Sequence, residues 1–236
     1  MVRDDGARAL LTTLQWTDSA FPSGLYTLSH GLEGLVQAGW AGAESLEDVA
    51  ASLLRHSVGP ADTAATFLAH RAAEAGDVDG PAGVAAVDRE LTATRLTDGM
   101  RRGSTRVGRQ LLTMAGEMGV AGGVLGAYRA AVAGRRADAN QAVACAVVQQ
   151  ALGVPARQCA AAELAGWVNG VAGAAIRLRL TDHIGAQRLV ARLAPVIMEV
   201  LADAEARPLS EIGSASPVLD VAAALHETAE ARLFLN

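Results

Sequence analysis

The sequence predicts an all-α protein, a single compact bundle of about nine to ten helices spanning residues 1–236. Three observations carry that expectation. Ala fills 51 of the 236 positions, Pro only seven, and aromatic residues are 3%, a composition that favours helix over strand. Hydrophobic residues make up 51% and charged residues 19%, enough apolar surface for a core and too little charge for a disordered chain. Apolar residues recur at helical spacing between short Gly/Pro breaks, with no repeat of fixed period, so neither a solenoid nor an all-β sandwich or barrel is expected.

The elements follow in order. A first helix is expected from about Ala7 to Thr17, ending before the breaker run Ser19-Ala-Phe-Pro-Ser-Gly24. A second is expected from about Thr27 to Trp40. Ser45 with Glu47 and Asp48 approaches a capping box. Leu46, Val49, Leu53 and His56 then share a face, and Gly59-Pro60 should end that helix. A helix from about Ala61 to Ala75 leads into Asp77–Gly83, a linker-like stretch too short to divide the chain into domains. Residues 84–118 read as one long helix or two abutting ones, with Val107, Leu111, Met114 and Met118 as a stripe. Further helices are expected at about 120–133, 138–152, 156–179, 182–205 and 217–233, with Thr181 and Ser216-Pro217 as starts of the last two. Leu189, Leu193, Val196, Ile197 and Val200 line one face of the 182–205 helix, and Ala160–Ile176 reads as a buried helix.

Charge and motif content narrow the function. The formal charge is −5, and all 20 basic residues are Arg. No basic domain is present, so a nucleic-acid partner is not expected. No uninterrupted apolar run reaches the ~18–20 residues of a membrane span. The acidic start Met1-Val-Arg-Asp-Asp does not resemble a signal peptide, and Cys145 and Cys159 form no CxxC pair, which together point to the cytoplasm. There is no phosphate loop, dinucleotide turn or nucleophile elbow. His226-Glu227-Thr-Ala-Glu230 lacks the second His of a zinc-protease motif, and the five His show no ligand spacing. Neither a catalytic group, a metal nor a cofactor is therefore expected.

Three features stand out against that background. The run Asp18–Glu33 gathers Pro22, Gly24, Ser29, Gly31 and Glu33 into a turn that enters a helix. Pro22 fixes φ, Gly24 permits positive φ and Gly31 allows close helix approach. Arg95, Arg102, Arg106 and Arg109 fall within roughly 60° of one another if one helix runs through Gly99 and Gly103. Such a row is either a solvated face paired with nearby acids or a site for carboxylates or phosphates of a partner. The chain closes with Arg232, Leu233, Phe234 and Leu235, an apolar end that suits docking within the fold or onto a partner.

Together these segments resemble the UreF family of urease accessory proteins. The family's opening pattern, close to LLQLxDSAxPxGxFxxSxGLE, is matched by LTTLQWTDSAFPSGLYTLSHGLE at Leu11–Glu33. Its middle block, roughly RxxSxxxGRxLL, is matched from Arg101 through Ser104, Gly108 and Arg109 to Leu112, and its HExxxxRLF ending by His226-Glu227 with Arg232-Leu233-Phe234. The chain departs from the pattern at Leu25, Leu28 and Asn140, the last where a His often begins a helix.

The resemblance implies an all-α homodimer that does no chemistry itself. It implies a scaffold between a UreD/UreH-type accessory protein and the GTPase UreG, supporting nickel insertion into apo-urease through that complex. In that setting Pro22, Gly24, Ser29, Gly31 and Glu33 would shape one contact surface, and His226, Glu227, Arg232 and Phe234 another. An Arg among Arg102, Arg106 and Arg109 could reach the GTPase in trans. An all-helical enzyme and a ligand-binding regulator are the alternatives. The first would need clustered acid/base groups, and the second usually a basic N-terminal helix-turn-helix.

Overall fold

The computed structural model describes residues 5–76 and 78–234. The start of the chain at residues 1–4, Asp77 of the linker-like stretch, and Leu235 of the apolar end lie outside the described residues. Among those described there are helices and turns but no strands.

The helices are α1 (Asp5–Thr17), α2 (Leu32–Gln37), α3 (Leu46–Leu53), α4 (Ala64–Glu74), α5 (Gly80–Ala93), α6 (Asp98–Glu117), α7 (Gly123–Ala133), α8 (Gln141–Ala151), α9 (Ala156–Arg177), α10 (His183–Glu205) and α11 (Pro217–Glu227). Single 3₁₀ turns occupy Leu25–Thr27 and Leu209–Glu211, and a π-helical stretch, Leu54–Thr63, joins α3 to α4 without a break.

At the centre lies α8. Every residue from Ala142 to Gln149 is buried, so this helix is surrounded on all sides by α4, α5, α6, α7 and α9. Its small side chains let neighbours approach closely. A Cβ on Gly108 of α6 would sit 1.9 Å from the Ala139 carbonyl oxygen just before α8, so only glycine fits that crossing. The buried helix expected at Ala160–Ile176 is buried in part. α9 buries Cys159, Leu164, Val168 and Val171 but exposes Ala165, Asn169 and Ile176. By length and composition α9 alone, among the described residues, could cross a membrane; here it packs along α10 and against α1, α4 and α8.

Several expected boundaries move for identifiable reasons. Gly59-Pro60 does not end a helix. Pro60 lacks an N–H, and in an α-helix its ring would strike the carbonyl four residues back. The wider π turn absorbs it, and the carbonyls of His56 and Pro60 accept hydrogen bonds from Ala215 N (2.7 Å) and Gly213 N (3.0 Å) instead. Ser45 forms no capping box; its hydroxyl accepts from Gly42 N at 3.0 Å. Asp182 rather than Thr181 caps α10, accepting from Gly185 N at 2.7 Å. The 84–118 segment divides into α5 and α6 around residues 94–97, with Thr97 Oγ1 capping Met100 N.

Beside α8 a buried polar network replaces apolar packing. Asp88 of α5 is fully buried and accepts from the backbone N–H groups of Asp138 (2.7 Å), Ala139 (2.9 Å) and Asn140 (2.9 Å). Asn140 Nδ2 donates to the same carboxylate (2.9 Å), and Arg95 Nε donates to Asn140 Oδ1 (3.2 Å). One carboxylate thus pairs the three backbone N–H groups of the turn leading into α8, while Gln141 N, the first of the helix, donates to Ser104 Oγ (3.1 Å).

Candidate functional site

The Asp18–Glu33 run is a series of tight turns rather than one helix start. Asp18 Oδ1 accepts from Ala20 N (2.6 Å), and Asp18 O from Phe21 N (3.0 Å). Phe21 packs on Trp16 with ring centroids 4.7 Å apart, tying the turn to α1. His30 (φ 57°) and Gly31 (φ 83°) are both left-handed, which breaks the expected 27–40 helix and delays α2 to Leu32. That break lets α2 lie directly on α11. A Cβ on Gly31 would meet Leu219 Cδ1 at 2.3 Å, and one on Gly34 the Ala222 carbonyl oxygen at 2.8 Å.

Contact between α2 and α11 joins the first and last blocks of the sequence. Glu33, in the first turn of α2, is 2% exposed. Its carboxylate pairs with His226 Nε2 (2.8 Å) and accepts from Leu233 N (2.8 Å) and Phe234 N (3.0 Å). The Phe234 ring is buried beneath the Arg177 guanidinium, 4.3 Å from ring centroid to Cζ, and Arg177 Nη1 donates to Tyr26 O (2.9 Å). Gln37 Nε2 donates to Ala231 O (3.0 Å). Residues 20–37, Arg177 and residues 219–234 therefore form one unit.

The twelve residues singled out from the sequence divide sharply. Ser29, Glu33, His226 and Phe234 are buried, so they shape the unit from inside. Pro22, Arg102, Arg106, Arg109 and Arg232 are exposed, while Gly24, Gly31 and Glu227 are half-buried. The arginine row does not survive as drawn. Arg95 lies before α6, in residues 94–97, and is committed to Asp62 (2.5 Å) and Asn140. Arg106 donates to Thr27 Oγ1 (2.5 Å) and Gly24 O (3.4 Å), holding the first-block turn. Arg102 lies 3.7 Å from Asp98 and 3.8 Å from Glu227, whose carboxylate also takes the Gly99 N–H at the start of α6. Arg109 is exposed and forms no ion pair or hydrogen bond among the described residues through its guanidinium.

Sequence reasoning missed Arg177, Gln37 and a second apolar stripe on α11. Leu219, Ala222 and His226 face α2. Val218, Val221 and Leu225, spaced identically at i, i+3 and i+7, are 51–56% exposed, and Leu233 is 71% exposed. The doubled stripe was readable in the sequence; which of its two faces points outward was not.

Between the turn before α2, the π stretch, α6, α9, α11 and the start of α8 lies a cavity of about 120 Å³, lined by groups including His30, Asp62, Arg95, Glu163, Trp167 and Arg232. Burial pushes the Glu163 carboxyl up to about 7, opposed by hydrogen bonds from Cys145 and Gln141. His30, against Trp167, is held down at about 4 by burial and by Arg177. The Cys145 thiol is raised, first by its hydrogen bond with Cys159 and then by burial, so it is no nucleophile at neutral pH. Among the described residues no three His, Cys, Asp or Glu side chains converge to hold a metal ion. What the arrangement offers is a shaped protein surface, with an apolar stripe, an exposed Arg and a docked tail.

Comparison with known proteins agrees across the chain. A family model described as UreF matches residues 40–194. The chain is 32% identical over 227 residues to a urease accessory protein UreF from Trichodesmium erythraeum, covering 96% of each. It is 30% identical over 233 residues to one from Photorhabdus laumondii, covering 98% of this chain and 99% of the relative. It is also 30% identical over 232 residues to one from Cereibacter sphaeroides, covering 97% and 99%.

Proposed function

Since the chain belongs to the UreF family of urease accessory proteins, we propose that it is a non-catalytic scaffold bridging a UreD/UreH-type accessory protein and the GTPase UreG. In this reading the complex supports nickel insertion into apo-urease, the chain works as a homodimer in the cytoplasm, and the GTP chemistry belongs to the partner. The observation that carries the reading is the union of first and last blocks through Glu33, beside the exposed Val218, Val221 and Leu225 stripe. An apolar stripe left outside on a well-packed helix is a feature of protein-contact surfaces. A second apolar patch, Leu10, Leu11 and Leu14 on α1, suits a chain that touches more than one protein.

Co-purification tests the reading. The wild-type chain should retain both the accessory partner and the GTPase, and Val221→Asp should lose at least one while circular dichroism stays unchanged. Retention of both partners by Val221→Asp and by a chain lacking residues 228–236 would overturn it. Arg109 is the member of the arginine row that suits a contact in trans. If it reaches the nucleotide, Arg109→Ala lowers partner GTP turnover without weakening capture; an unchanged rate removes that role.

A further inference from the structure

We infer that Glu33 is the catch of a C-terminal strap: one buried carboxylate, bonding His226 and the backbone of Leu233 and Phe234 together, keeps residues 228–234 docked. The inference deepens the proposed reading of the tail as a contact surface and rests on it for its functional meaning. α11 ends at Glu227, and residues 228–234 continue without regular structure. Thr228, Glu230, Ala231, Arg232 and Leu233 are exposed, leaving the Phe234 ring as the strap's one buried side chain. Burial of a single ring does not match the entropy lost in ordering a stretch of that length. The difference must come from polar bonds made in a dry site, and these converge on Glu33.

The geometry suits a carboxylate. An ionised carboxylate has two oxygens and only accepts, so it can serve two successive backbone N–H groups and an imidazole at once. Oε1 takes Leu233 N, and Oε2 takes Phe234 N and His226 Nε2. Glu33 is itself fixed, because α2 is pressed on α11 at Gly31 and Gly34. Arg177 and Gln37 hold the strap from its flanks, but each reaches it through a single contact. Glu33 is thus a positioning residue. It would act on a partner only through the strap, whose exposed members Arg232 and Leu233 it sets in place.

Hydrogen exchange on the isolated full chain tests the assignment. Glu33→Gln replaces one accepting oxygen with an NH₂ group that cannot accept. Peptides covering residues 228–234 should then exchange about tenfold faster or more, while α4 and α8 keep their protection. Leu233→Pro is the control for folding. It deletes one of the captured N–H groups from a residue whose side chain is 71% exposed, and should loosen the same peptides. A strap as protected as wild type in either variant overturns the inference, as does loosening of α4 and α8 along with the strap. Exchange needs no partner, so the two readings fail separately. A released strap with unchanged partner capture would retain the catch and remove the tail from the proposed interface.

Discussion

Single carboxylates decide more in this fold than its composition suggests. Asp88 is fully buried and takes three backbone N–H groups from the turn just before α8. Asp88→Ala would strand those donors and should cost about 3 kcal/mol or more of unfolding free energy, read from urea titration. Glu163 and His30 make stability depend on pH in opposite senses. Burial raises the Glu163 carboxyl from its ordinary 4.5 to about 7, so its neutral form is favoured by folding. Its contribution is complete below about 4.5 and disappears as pH rises through about 7. His30, lowered from 6.5 to about 4, contributes above 6.5 and loses that contribution as pH falls toward 4. Glu163→Gln should therefore gain about 1–3 kcal/mol on wild type at pH 8 relative to pH 5, by chemical denaturation at each pH. An identical difference at both values would show that the Glu163 carboxyl is not shifted.

At the scale of the element, packing overrides local pattern in three places. α1 buries Ala9, Thr13 and Trp16 and turns Leu10, Leu11 and Leu14 outward, although the leucines form the more apolar face. The bulk of Trp16, stacked on Phe21, and a hydrogen bond from Gln158 Nε2 to Thr13 Oγ1 (2.9 Å) select the buried side. The π stretch carries the chain through Pro60 because residues 213–215 supply donors to the carbonyls it displaces. Local rules for proline see no such distant donor. The α6–α8 crossing depends on the missing side chain of Gly108, and Gly108→Ala should destabilise by about 2–4 kcal/mol, lowering the thermal midpoint. On α11 the outer stripe should behave oppositely. Val221 is 51% exposed, so Val221→Asp should leave stability within about 0.5 kcal/mol of wild type while weakening partner capture.

Across the whole molecule, the ends of the sequence meet. Glu33 and Phe234 are 201 residues apart and bonded, so the blocks that carried the resemblance are parts of one surface. The middle block feeds it as well: Arg106 secures the first turn at Gly24 and Thr27, and the start of α6 takes Glu227. The proposed homodimer belongs to this scale. If the α1 patch contributes to it, Leu10→Glu with Leu14→Glu should shift elution from twice 24.1 kDa toward a single chain, with helicity unchanged. Elution of wild type as a single chain would remove the dimer.

Composition and helical spacing, read along the chain, were enough to establish an all-α protein and the order of its helices, while the motif blocks carried the family resemblance. Those properties are local: an Ala-rich, Pro-poor segment with apolar residues every third or fourth position carries its own conformational preference. The motif blocks also singled out Glu33, His226 and Phe234, but as members of two separate contact surfaces. Only the tertiary structure decided that they bond one another inside the fold, that three of the four arginines are held by intramolecular contacts, and which stripe of α1 and of α11 faces water. Each of those outcomes depends on neighbours far away in sequence, and a helix with two apolar stripes contains no local information about which one the rest of the chain will cover.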